Sequence, residues 1–224
     1  MFKALLYKEW IKTRRIVFLL SIILFALITY TFINTGQIFR VGGAVQTWTN
    51  IILKDMPILP EILKWFPLLT GILIGLVQFI PEMTDKRFKL TLHLPMSESK
   101  ILSSMLAYGI ICIVALFILL YASLFIGFRI YYPLEIIMSM TWQILPYLLG
   151  GLTAYFFTGW ICLEPIWRQR IINSLAAIAG LYLFCIDSKA GAYTTFLPYL
   201  IGLLIVGFTF TFYSAARFKN GAQW

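Results

Sequence analysis

The sequence predicts an all-α integral membrane protein: six transmembrane helices with an N-terminal amphipathic interfacial helix. Three observations predict it. Hydrophobic residues make up 61% of the 224, charged residues only 12%, and mean hydropathy is +0.88, far from the composition of a soluble domain. Long apolar runs recur along the whole chain, and a hydrocarbon core of about 30 Å asks for roughly 20 apolar residues per helix, so about six spans with short loops fit. Finally, lysine and arginine collect in alternate loops, the pattern that sets orientation.

Residues 1–15, "MFKALLYKEWIKTRR", set Phe2, Leu5, Leu6 and Trp10 against Lys3, Lys8, Lys12 and Arg15. That pattern predicts a helix lying on the inner leaflet, with a plain basic flank of the first span as its alternative. The first apolar run, 16–34, is long and lacks a small-residue cleavage motif, so it is expected to be a span and the N-terminus mature. The stretch 36–64 is too polar to cross, and its apolar pieces "WTNIILK" and "ILPEILKWF" are expected at the outer interface. Pro57, Pro60 and Pro67 break it up, and Trp48 and Trp65 suit the aromatic belt. Further spans are expected at about 65–81, 101–128, 137–163, 171–187 and 195–214, each bounded by charge, Pro, Gly or Asn.

Six spans place both termini on one side. With that side cytoplasmic, thirteen of the eighteen basic residues face it: Lys3, Lys8, Lys12, Arg14, Arg15, Lys86, Arg87, Lys89, Lys100, Arg168, Arg170, Arg217 and Lys219. The sequence therefore predicts a cell-membrane location with cytoplasmic termini. The net charge of +9 follows from this topology and from anionic headgroups, with no nucleic acid implied.

Chemistry-bearing residues are sparse. Polar groups deep in the spans, Gln78, Gln143, Thr153, Thr158 and Asn173, are neutral, whereas ion- or proton-driven transport relies on intramembrane charge. His93 is the sole histidine and has no partner at metal or catalytic spacing. Cys112, Cys162 and Cys185 lie in apolar runs without a C-x-x-C spacing, so buried packing is expected of them. No G-x-x-x-x-G-K-[ST] is present, so the chain has no P-loop for ATP. No catalytic residue, metal ligand or cofactor site is predicted. "GILIG", with Gly71 and Gly75, allows close helix approach either within the chain or between two chains. Gly150 and Gly151 beside Pro146 predict a kink in the fourth span.

The segment 82–100, "EMTDKRFKLTLHLPMSESK", differs from everything around it. Glu82 marks the bilayer exit with Pro81, and Asp85, Lys86, Arg87, Lys89 and His93 are interleaved with Phe88, Leu90, Leu92 and Leu94. A solvated turn has no need of so many apolar residues, so the segment is read as a short docking element. Pro95 ends it, and Ser97 is placed to cap the next helix ahead of Lys100.

An acidic residue, basic residues, an apolar stretch, "LP", a small polar residue and a lysine thus run in order as Glu82, Lys86 and Arg87, Phe88 to Leu92, Leu94 and Pro95, Ser97, and Lys100. In this order and in its topology the chain resembles the membrane subunits of ABC transporters of the ABC-2 permease type. The resemblance covers the whole chain in topology and about twenty residues in motif. It implies that 82–100 is a coupling helix seated on a separate ATP-binding subunit, through Glu82, Asp85, Lys86, Arg87, Phe88, Leu90, His93, Leu94 and Pro95. ATP and Mg would lie on that partner, and a second permease chain, identical or not, would complete the pathway within membrane lipid. "EPIWRQR" at 164–170 is expected as a minor second contact. The family's re-entrant helices between the last two spans are reduced here to about 188–194, which leaves an outer gate outside what the resemblance implies. Two other classes fit the sequence less well: a non-transporting scaffold or assembly factor recruiting a cytoplasmic protein through the same loop, and a membrane enzyme.

Overall fold

The computed structural model describes residues 2–54, 56–84, 97–186 and 191–219. Among the described residues it is all-helical: α1 (Phe2–Lys54), α2 (Glu61–Met83), α3 (Glu98–Phe128), α4 (Leu134–Leu163), α5 (Trp167–Tyr182) and α6 (Leu197–Lys219). All but α5 are long and apolar enough to cross a membrane. Helix α5 has 16 residues, about 24 Å at the usual rise, and carries Arg168, Gln169, Arg170 and Asn173.

Helix boundaries follow local chemistry. Pro60 and Pro133 stand at the N-caps of α2 and α4, where a missing N–H costs nothing, and Glu61 and Glu135 occupy the first turns, next to the positive end of the helix dipole. Arg217 and Lys219 fill the last turn of α6. Ser97 holds the N-cap of α3 as expected, yet its side chain makes no capping bond. Its carbonyl instead accepts from the N–H groups of Lys100 and Ile101 at 2.9 and 3.2 Å.

The N-terminal half departs from the sequence reading. No break separates residues 2–15 from the first span: α1 stays helical from Phe2 until Gly43, whose φ of 71° and ψ of 163° interrupt it. No proline falls before Pro57 to stop propagation, and Thr31 and Thr35 satisfy their hydroxyls on the carbonyls four residues back. Residues 5–13 lie against the bundle, with Leu5, Glu9 and Thr13 buried at four-residue spacing, and they are continuous with the long apolar helix that follows. Past Gly43 the helix resumes to Lys54, and Trp48 donates its indole N–H to the Tyr131 carbonyl at 3.2 Å. Helix α2 likewise starts earlier than expected and runs through Pro67 and Pro81.

Contacts fix the direction of each helix. Thr13 meets Tyr108, and Phe32 meets Phe128, so α1 and α3 run parallel. Lys12 meets Glu82, which sets α2 antiparallel to α1. Gly71 faces Gly151, and Gly75 faces Thr158, so α4 is parallel to α2. Thr211 donates to the Phe156 carbonyl, and Ser214 meets Glu164, so α6 is parallel to α4. The chain between α4 and α6 must climb back: Phe184 packs on Gly150, about 20 Å along α4 from its end, and Tyr193 donates to the Leu183 carbonyl. The start of α1 and the end of α6 therefore lie at the same end of the bundle.

Helices α2 and α4 form the centre. In their most apolar stretches 61% and 67% of residues are buried, against 22%, 33% and 28% in α1, α3 and α6. Glycine makes that centre possible: a Cβ on Gly71 would overlap the Gly151 carbonyl oxygen, and one on Gly75 would press on Thr158. "GILIG" is thus an intrachain seam. Helix α4 continues through Pro146, where a kink was expected at Gly150 and Gly151. Gly151 admits α2, and Gly150 admits Phe184.

Candidate functional site

The end of the bundle that holds both chain ends gathers the ionic residues. Glu9 and Glu82 are 2% and 1% exposed. Lys12 lies between them, its Nζ 2.6 Å from each carboxylate, and Lys8 reaches the same Glu82 oxygen at 2.8 Å. A buried carboxylate is tolerated only when its lost hydration is replaced by such bonds. One ammonium shared by two helices therefore ties the exit of α2 to the start of α1.

Two further contacts extend the tie to α3 and α4. Thr13 and Tyr108 share a hydrogen bond of 2.5 Å, and the Thr13 hydroxyl also bonds the Glu9 carbonyl at 3.0 Å. Gln78, fully buried, donates to the Met105 carbonyl at 2.6 Å and accepts from the Tyr155 hydroxyl at 2.8 Å. Gly109 leaves room for this pair, since a Cβ there would collide with both Tyr155 and Gln78. Four helices are thus joined by buried polar bonds within about three turns of the end of α2 and the start of α3.

A second cluster closes α4, α5 and α6. Glu164, 1% exposed, accepts from the Ser214 hydroxyl at 2.8 Å and lies 3.2 Å from the Arg217 guanidinium. Arg170 folds back on the carbonyls of Glu164 and Cys162 at 2.5 and 3.4 Å. The outer residues of "EPIWRQR" are therefore engaged within the chain, while Trp167 is 71% exposed beside an exposed Arg168.

Of the residues assigned to partner docking, Glu82 is the one described here, and it faces inward. It anchors the segment to α1 and presents no surface of its own. Asp85, Lys86, Arg87, Phe88, Leu90, His93, Leu94 and Pro95 lie outside the described residues. Sequence reasoning missed Glu9, Lys12 and Thr13, which it assigned to a basic surface helix. One signal was available: Leu5, Glu9 and Thr13 recur every four residues, so one helical face carries all three. No group of three or more metal-ligating side chains occurs among the described residues. No family model matches the chain, and neither a curated protein nor a solved structure matches it.

Chemically, this arrangement is suited to holding helices in fixed relation. Lys8 and Lys12 meet Glu82, Lys12 meets Glu9 and Arg217 meets Glu164, while Thr13, Gln78 and Ser214 bond across helix pairs.

Proposed function

We propose that this chain is the membrane-spanning permease subunit of an ATP-driven transporter, crossing the cell membrane six times with both termini cytoplasmic. Residues 82–100 couple it to a separate ATP-binding subunit, which carries ATP and Mg, and a second permease chain completes the pathway. One observation carries this reading. Residues 82–100 join the end of α2 to the start of α3 in sequence, and both helices are fastened to the N-terminal turns of α1, α2 by Lys12–Glu82 and α3 by Thr13–Tyr108.

A push on the segment consequently moves α1, α2 and α3 as a block. The tight Gly71–Gly151 seam hands that movement to α4. When two ATP-binding subunits close, their coupling segments approach, the blocks tilt, and access to the pathway switches sides. Neutral polar and aromatic side chains within the spans fit an amphipathic or lipid-linked cargo better than a small ion. Helix α5 with its following turns makes the sixth crossing, because α4 and α6 end together.

Co-purification tests the reading. The chain, expressed with a Walker A protein encoded beside it, should form a stable complex in detergent whose ATP hydrolysis rises in vesicles holding the cargo. A complex that forms with a cytoplasmic protein lacking a nucleotide site would instead support a scaffold. Cargo movement by this chain alone in sealed vesicles would overturn the proposal.

A further inference from the structure

A groove runs between the first turns of α1 and the last turns of α2, and it changes character along its length. Toward the end of the bundle, a cavity of about 350 Å³ is lined by Tyr7, Lys8, Ile11, Lys12, Pro81 and Glu82. Adjoining it, and sharing Lys12 and Pro81, a second cavity of about 350 Å³ is walled by Leu76, Val77 and Ile80. Because α2 runs toward the charged end, these three residues lie deeper in the bilayer than Glu82, by up to six residues or about 9 Å. The groove is polar at the headgroup level and apolar below it.

Charge at the polar end favours an anion. Lys8 and Lys12 converge on a single oxygen of Glu82, and their side chains are 40% and 15% exposed. Arg15, exposed, follows at i+7 from Lys8 on the same helical face. Among the described residues, three cations thus stand against two carboxylates, Glu9 and Glu82. Beyond Arg15 the chain turns apolar at Ile16, and inward of Glu82 α2 presents Ile80, Val77 and Leu76 to the groove.

The geometry points to this groove as a binding site for one anionic glycerophospholipid of the adjacent leaflet, its phosphate at Lys8 and Lys12 and an acyl chain along Leu76, Val77 and Ile80. An occupant there bridges α1 and α2 next to the Lys12–Glu82 tie, so leaflet charge would tune how firmly the two helices move together. The site needs only a bilayer and does not depend on an ATP-binding partner.

Native mass spectrometry of the full chain from mixed micelles of phosphatidylglycerol and phosphatidylcholine with matched acyl chains tests the site. The unaltered chain should retain phosphatidylglycerol about five-fold over phosphatidylcholine, the scale set by one headgroup-level cation. Lys8→Gln with Arg15→Gln should bring the ratio near one. Glu82 keeps Lys12 in that variant, so the bundle is not left with a lone buried charge. A second variant, Val77→Trp, fills the apolar cavity and should reduce retention of both lipids, whether or not the charge variant folds. Equal retention of the two lipids by the unaltered chain, or an unchanged ratio in a folded charge variant, would overturn the assignment. So would protection against heating by inorganic phosphate equal to that given by phosphatidylglycerol, which would mark a site for soluble anions.

Discussion

Lys12 is the residue on which the charged end turns. Replacing it by methionine takes from Glu9 the ammonium it is paired with and leaves Glu82 to Lys8 alone, at a cost of about 3 kcal/mol. Thermal unfolding in detergent, followed by circular dichroism, should record a clear fall in midpoint. Lys8→Gln should cost under about 1 kcal/mol, because Lys8 is 40% exposed and Lys12 still answers Glu82. Gln78→Leu should cost about 2 kcal/mol in the same assay, since the Tyr155 hydroxyl then loses its acceptor in a buried site. Side-chain types announced these groups, but the sequence did not announce their partners. Glu9 and Glu82 are 73 positions apart, and a buried ion pair between two helices leaves no local pattern. Glu82 was expected among the docking residues; its contacts are with Lys8 and Lys12 of α1, partners that nothing beside it in the sequence announces.

At the level of elements, apolar length located the long helices, and α3, α4 and α6 begin or end within a few residues of the apolar runs at 101–128, 137–163 and 195–214. The failures concern α1. Its extension beyond residue 34 carries Gly36, Gln37, Arg40, Gly42 and Gly43, a composition that reads as loop, yet helix persists there until a residue adopts positive φ. Propagating an existing helix is cheap compared with starting one, so poor formers are carried along. The α2–α4 seam makes a sharp prediction. Gly71→Ala drives a Cβ into the Gly151 carbonyl and should destabilise by about 3 kcal/mol through overpacking. Gly202→Ala, on a face of α6 with nothing near its missing Cβ, should be neutral or stabilising by up to about 1 kcal/mol. Comparing the two melting curves separates packing glycines from incidental ones. In the sequence "GILIG" marked a close approach without saying to what; the answer required Gly151, 80 positions away.

For the whole molecule, the contacts give the helix directions, α1 and α3 one way and α2, α4 and α6 the other, and the alternation expected from the basic residues awaits a test of sidedness. Single cysteines in an otherwise cysteine-free chain test it. Ser97→Cys and Lys219→Cys should react with an impermeant thiol reagent from the same side of a sealed vesicle, and Gln46→Cys from the opposite side. If α5 failed to cross, Lys219→Cys would label with Gln46→Cys. The central claim is that work enters this protein at residues 82–100 from a separate ATP-binding subunit. Its most direct measurement is recovery of that subunit in a detergent pull-down with the unaltered chain and with Arg87→Ala and Phe88→Ala combined. Loss of the partner from a double variant that keeps the helicity and melting midpoint of the unaltered chain is the expected result. Full retention of the partner by that variant would contradict it.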